Sequence, residues 1–272
     1  MSQNKPLKAI LMLAALIFLM SMGRLAVAED FPYREKYPDV PTISTQDLYD
    51  KYKQGDMIIV DVRSDIEYSA IHPVGSQHIP IGRADFTDRV GELIEKNPGA
   101  DIAFYCNGIT CLKSYEAVEK VQEAGYKNCF AYDAGIPDWE EVYPEHTLLL
   151  GEKVTDPAKQ IIPESEFKKH LLGFEEFKSR ASDPKAIVID VRDHIQKSGD
   201  LPGIETALSI PLDKFIPNFV EREINQDKTL LIFDQVGKQV FWLMYYLEKH
   251  GYQDYFFLNK GATGVLEKQE YK

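Results

Sequence analysis

Cysteine is scarce in this 272-residue chain: there are 3, Cys106, Cys111 and Cys129. So few exclude a disulfide-built scaffold, and an odd number leaves at least one thiol unpaired within the chain in an oxidising compartment. No histidine spacing completes a four-ligand set around them, so a structural metal is not expected, and nothing in the sequence calls for a cofactor. Basic residues are also short: 31 Lys and Arg stand against 43 Asp and Glu, a formal net charge of −12. A chain of that sign repels phosphate backbones, which argues against a nucleic-acid partner. Long apolar runs are almost absent. The one at Ala9 to Met20 is about a dozen residues, against the roughly 20 that a membrane span needs.

That run belongs to a leader pattern. Lys5 and Lys8 precede it, and Ala26-Val27-Ala28 follows it as an A-x-A cleavage site. Residues 1–28 therefore read as a signal peptide cut after Ala28, and with a bacterial-style signal the destination is the periplasm or the medium. The alternative is an uncleaved N-terminal anchor; in either case the membrane is met only through this export signal. Cleavage removes Lys5, Lys8 and Arg24 and no acid, so the mature chain carries 28 basic residues against 43 acidic ones, or −15.

What the chain does have is a repeat. Met57-Ile58-Ile59-Val60-Asp61-Val62-Arg63 returns as Ala186-Ile187-Val188-Ile189-Asp190-Val191-Arg192, with Asp61 and Asp190 129 apart. Ile102-Ala103-Phe104-Tyr105-Cys106 returns as Leu230-Leu231-Ile232-Phe233-Asp234 at an offset of 128. Glu123-Ala124-Gly125-Tyr126 and Asp133-Ala134-Gly135-Ile136 return at 126, as Lys249-His250-Gly251-Tyr252 and Asn259-Lys260-Gly261-Ala262. Four matches in one order at a nearly constant offset indicate a duplicated domain.

Each copy reads as α/β. Short apolar runs at 57–62, 102–106 and 128–132 suit buried strands, and Asp47–Tyr52 and Ser114–Ala124 have helical spacing closed by Gly125. The second copy repeats this with 186–191, 229–233 and 254–258 and a strongly apolar helix over 238–250, fitted to core or inter-domain packing. Strands alternating with helices imply a mainly parallel sheet flanked by helices on both faces. The expected division is domain one at 40–147, a linker at 148–163 punctuated by Gly151, Pro157 and Pro163, and domain two at 164–272.

Chemistry is expected in the loop after the strand at 102–105: Cys106, Asn107, Gly108, Ile109, Thr110, Cys111, Leu112, Lys113 and Ser114, then a helix. Open α/β sheets bind ligands at such strand-to-helix loops. Backbone N–H groups curling there, with the helix N-terminus behind them, stabilise an anion and lower the pKa of a thiol at the loop's start. Lys113 adds positive charge, and Gly108 permits the φ angles such a cradle needs.

These motifs resemble the rhodanese superfamily. The resemblance rests on D-V-R at Asp61–Arg63, Glu67-Tyr68, His78-Ile79-Pro80, the Tyr105-Cys106 loop to Lys113-Ser114, Gly125-Tyr126, and Gly135-Ile136-Pro137-Asp138-Trp139. The second copy keeps Asp190-Val191-Arg192, Gly199-Asp200-Leu201-Pro202-Gly203, Ile210-Pro211 and Gly251-Tyr252. It implies two rhodanese-like domains and a sulfurtransferase that carries sulfane sulfur as a persulfide on Cys106. The donor would be a small anion such as thiosulfate or polysulfide, and the partner a thiophilic acceptor or a thiol protein. Asp61 and Arg63 would support the loop.

Two features depart from that pattern. Asp234 stands where the second copy would need cysteine, and a carboxylate carries no sulfur, so that copy is expected to be inactive. The first loop is also longer: Cys106 and Gly125 are 19 apart, Asp234 and Gly251 only 17. In the superfamily, wider loops go with phosphate or arsenate chemistry, although those relatives end the loop with Arg, which this chain lacks. Cys111, inside the loop, either resolves an adduct on Cys106 or merely lines the loop. Cys129, His72 and His78 read as core and turn residues. The competing classes are thus a persulfide carrier, a thiol–disulfide or oxyanion reductase using Cys106 and Cys111, and a non-catalytic binding module.

Overall fold

The computed structural model describes residues 31–197 and 199–270; the expected leader, residues 1–28, lies outside them. No helix among the described residues is long and apolar enough to cross a membrane.

The first unit runs α1 (Thr45–Gln54), β1 (Met57–Asp61), α2 (Asp65–Ala70), β2 (Ile71–Pro73), β3 (Gln77–His78), α3 (Phe86–Lys96), β4 (Asp101–Tyr105), α4 (Lys113–Glu123), β5 (Cys129–Tyr132) and α5 (Gly135–Val142). Its sheet has the order β3-β1-β4-β5, all parallel, and Thr42 adds a parallel bridge to Ala131 at the β5 edge. The helix ends follow local chemistry. Ser44 accepts the Asp47 N–H at the start of α1, and Gly55 at φ +80° ends it. Gly125, at φ +91°, turns the chain out of α4 as its position suggested.

The strands explain the layers. Because side chains alternate across a strand, Val60, Ile102 and Phe104 fall on one face with Phe86, Val90, Tyr115 and Val118 of α3 and α4. Met57, Ile59, Ala103 and Tyr105 fall on the other, with Leu48, Ile136 and Trp139 of α1 and α5. Apolar runs without polar alternation are what a sheet covered on both sides requires.

The connecting segment, expected as a linker, has structure of its own. β6 (Thr147–Leu149) pairs antiparallel with β2, and β7 (Glu152–Lys153) pairs with β6. Two single-turn helices follow, α6 (Pro157–Gln160) and α7 (Glu164–Phe167).

The second unit comprises β8 (Leu171–Leu172), α8 (Phe174–Ala181), β9 (Ala186–Asp190), β10 (Leu208–Ser209), α9 (Leu212–Phe215), β11 (Thr229–Phe233), α10 (Gln239–Lys249), β12 (Tyr255–Leu258) and α11 (Thr263–Glu270). Its sheet order, β10-β9-β11-β12-β8, is again wholly parallel. It repeats the first order strand for strand, with β8 in the place of the Thr42 bridge. Loop bonds repeat too: Val62 N–H donates to Tyr105 O and Val191 N–H to Phe233 O, at 3.3 and 3.0 Å.

The apolar helix α10 joins the units. Its Val240, Leu243, Met244 and Leu247 fill the second core, in which Ile66 of α2 also takes part. Trp242 packs against both the first and the second core, and the Arg63 guanidinium lies 5.4 Å from the centre of its ring.

Candidate active site

Parallel register brings the two expected motifs together. Asp61 ends β1 directly opposite Tyr105, which ends β4, so the D-V-R turn and the Cys106 loop leave the same sheet edge as neighbours. Cys106 lies just beyond the strand rather than in it, 1% exposed, on the α3–α4 side.

The loop is built on two glycines. Gly108 has φ +97°, and its Cα faces Ala134 O; a Cβ there would stand 3.2 Å from that oxygen. Gly135, at φ +67°, lies beneath it, where a Cβ would come within 2.5 Å of Cys106 O and 2.4 Å of Gly108 N. The Ile136 N–H then donates to Cys106 O at 3.1 Å. The backbone turns back at once: the Cys111 N–H donates to Gly108 O at 2.9 Å. That turn sets Cys111 against Cys106, and the two sulfurs are joined as a disulfide with Cα atoms 6.4 Å apart. Thr110 is exposed; Asn107, Ile109, Cys111, Leu112 and Lys113 are half-buried; Ser114, in the first turn of α4, is buried, with no hydrogen-bond partner for its Oγ among the described residues.

Asp61 and Arg63 form the floor. Both are fully buried, with Arg63 Nη2 2.7 Å from Asp61 Oδ2. Burial alone would lower the Arg63 pKa, but the Asp61 carboxylate outweighs it and raises it further. Tyr105 Oη also donates to Asp61. Arg63 Nη1 reaches up to Asn107 Oδ1 at 3.2 Å, so the buried pair holds the residue that follows Cys106. Sequence reasoning missed the other half of this clamp. Asn107 Nδ2 donates to Glu67, whose other oxygen accepts from Ser64 N–H at 2.8 Å and from Ser64 Oγ. Burial would raise the Glu67 pKa; the Ser64 and Asn107 hydrogen bonds, with the Lys113 charge behind them, hold it below the ordinary range. The Ser64-x-x-Glu67 capping signature was the available signal.

Cys129 and His72 stay outside the site, whereas the His78 Nε2–H donates to Arg63 O at 3.1 Å. Cys129 opens β5, buried, its thiol pushed up to about 11 mainly by burial. His72 and His78 both stack on Tyr68. Among the described residues no group of three acidic, His or Cys side chains is placed to hold a metal.

The second copy shows what this loop architecture does with a negative charge. Gly261, at φ +59°, underlies the Asp234 loop, and Ala262 N–H donates to Asp234 O at 2.9 Å, matching the Gly135–Ile136 arrangement. The Asp234 carboxylate turns into its own loop. It accepts N–H groups from Gly237, from Gln239 at 2.7 Å and from Val240 at 3.4 Å. Burial raises its pKa against these bonds. Arg192 pairs with Asp190 as Arg63 does with Asp61, but its Nη1 has no partner among the described residues, because Gln235 bonds to Thr263 instead of reaching back.

Residues 44–142 match the family model described as Rhodanese-like domain. Over 97 residues the chain is 34% identical to an HTH-type transcriptional regulator of Mycobacterium tuberculosis, a match covering 36% of this chain and 40% of the relative, so the chain spans about two fifths of the length of that relative. Among solved structures, the thiosulfate sulfurtransferase from Pseudomonas aeruginosa aligns over 85% of this chain and 43% of its own at 16% identity, with a TM-score of 0.38. The rhodanese-like domain of the Alr3790 protein from Anabaena aligns over 42% of this chain and 83% of its own at 26% identity, with a TM-score of 0.35.

Proposed function

We propose that this chain is an exported rhodanese-type sulfurtransferase or persulfide carrier in which Cys106, once reduced, takes sulfane sulfur from a small anionic donor and passes it to a thiophilic acceptor. The observation that carries the reading is the Asp234 carboxylate, which accepts three backbone N–H groups inside the equivalent loop. A loop of this lineage is built to surround an anion with N–H donors. Cys106 starts its loop at the matching position, so its thiolate and the persulfide it becomes gain the same kind of support. Asp61, Arg63 and Glu67 hold Asn107, and with it the start of the loop, in place. Lys113, half-buried at the base of α4, supplies positive charge where an anionic donor such as thiosulfate or polysulfide would arrive. Asp234 fills the second cradle from within, which makes that copy silent as a sulfur carrier.

Reduction must come first, because Cys106 is disulfide-bonded. The test is mass spectrometry of the fully reduced protein after exposure to thiosulfate or polysulfide, with an expected gain of about 32 Da on Cys106 or its turnover product. Reduced protein that neither gains sulfur nor releases sulfite with any sulfane donor would end this reading. Export is tested separately by N-terminal sequencing of the protein recovered from cell fractions, with a start at Glu29 expected.

A further inference from the structure

Resting on Cys106 as the sulfur acceptor, we infer that Cys111 is its resolving thiol, and that this site does not store a persulfide but reduces sulfane sulfur to sulfide at the expense of a dithiol partner. The juxtaposition is built into the loop. Gly108 at φ +97° and the Cys111-to-Gly108 turn fold the chain back over five residues, leaving the Cα atoms 6.4 Å apart and the sulfurs bonded. That separation lies inside the range a disulfide accepts without moving the backbone. The loop of the second copy, shorter by two residues, has no counterpart to Cys111.

No other described cysteine can serve. Cys129 pairs with Ile102 near the start of β4, whereas Cys106 follows its end. Four residues of strand at about 3.3 Å each put them roughly 13 Å apart along the sheet. Cys111 is half-buried where Cys106 is 1% exposed, so an external thiol meets Cys111 first and releases Cys106 as the leaving thiolate, inside its cradle.

The steps balance. The Cys106 thiolate attacks the outer sulfur of thiosulfate, forming a Cys106 persulfide anion as the S–S bond to sulfite breaks. The Cys111 thiol then attacks Cys106 Sγ. A Cys106–Cys111 bond forms, the bond to the outer sulfur breaks, and that sulfur leaves as hydrosulfide with the Cys111 proton. The sulfane sulfur gains two electrons, and the two cysteines lose them. A dithiol reductant resets the disulfide, becoming a disulfide itself.

The experiment is a single turnover on the full chain, fully reduced, freed of reductant and mixed with thiosulfate. The wild type is expected to release about one sulfite and one sulfide per protein and to end about 2 Da lighter, with Cys106 bonded to Cys111. Cys111→Ser is expected to release sulfite but no sulfide and to keep a Cys106 adduct of about 32 Da, while Cys106→Ser does neither. A wild type that retains the adduct with Cys111 free and releases no sulfide overturns the resolving role while leaving Cys106 as acceptor. A wild type that releases neither product, with thiosulfate or polysulfide, overturns both. Because the wild type alone separates these outcomes, a poorly folding variant does not blunt the test.

Discussion

Replacing Gly135 by alanine tests how closely the fold presses on the Cys106 loop. Gly125 and Gly135 both sit in the left-handed region, at φ +91° and +67°. An alanine at either position carries the conformational cost of that region, about 1–2 kcal/mol. They differ in what the new Cβ meets. At Gly125 nothing lies within 4 Å; at Gly135 the Cβ would stand 2.4 Å from Gly108 N, 2.5 Å from Cys106 O and 2.8 Å from Gly108 Cα. These are backbone atoms of the loop, which cannot rotate away as a side-chain tip would, so overpacking adds about 1–3 kcal/mol. Gly125→Ala should therefore cost about 1–2 kcal/mol and Gly135→Ala about 2–5 kcal/mol, compared by urea unfolding of the full chain. The displaced loop should also lose sulfur uptake at Cys106 in Gly135→Ala and keep it in Gly125→Ala. Equal destabilisation by the two substitutions, with sulfur uptake intact in both, would refute the close approach that positions this loop.

Three further outcomes follow from other parts of the molecule. Arg63→Met strands the buried Asp61 carboxylate and releases Asn107, so it should cost about 3–5 kcal/mol in urea unfolding, with part recovered when Asp61→Asn is added. Glu140, half-buried on α5 near Arg63 and Tyr245, has its carboxyl pushed up to about 7 from an ordinary 4.5, mainly by burial. Between those values the folded chain binds more protons than the unfolded one, so stability should fall as pH rises from about 4.5 to 7, and Glu140→Gln should flatten that slope when urea midpoints at pH 5 and 8 are compared. Asp234→Ala leaves the donors that held the carboxylate without a partner and should cost about 1–3 kcal/mol. Sulfate should recover part of that loss in a thermal melt of the variant and leave the wild type unmoved.

Much of the architecture was legible from residue order. The apolar runs at 57–62, 102–106 and 186–191, the D-V-R pairs and the near-constant offset between copies led to two parallel sheets, because buried strands and repeated units leave local signatures that need no long-range knowledge. Gly125 and the helix at 238–250 were read for the same reason: a left-handed helix end and a strongly apolar helix are local demands. The segment at 148–163 was less legible. Strand pairs of two or three residues draw their stability from a partner far along the chain, and Leu149 finds its partner in Ile71.

The site divides along the same line. Sequence alone determined that a cysteine, Cys106, stands at a strand-to-helix loop with Lys113 behind it, and that Asp234 replaces it in the second copy. It left open whether Cys111 lines the loop or meets Cys106. Only the tertiary structure could decide that, because the answer depends on Gly108, Gly135 and the Cys111 turn acting together across parts of the chain that local pattern does not connect. The same holds for the clamp on Asn107. Arg63, Asn107 and Glu67 come from three segments, and only the parallel register of β1 with β4 makes them neighbours.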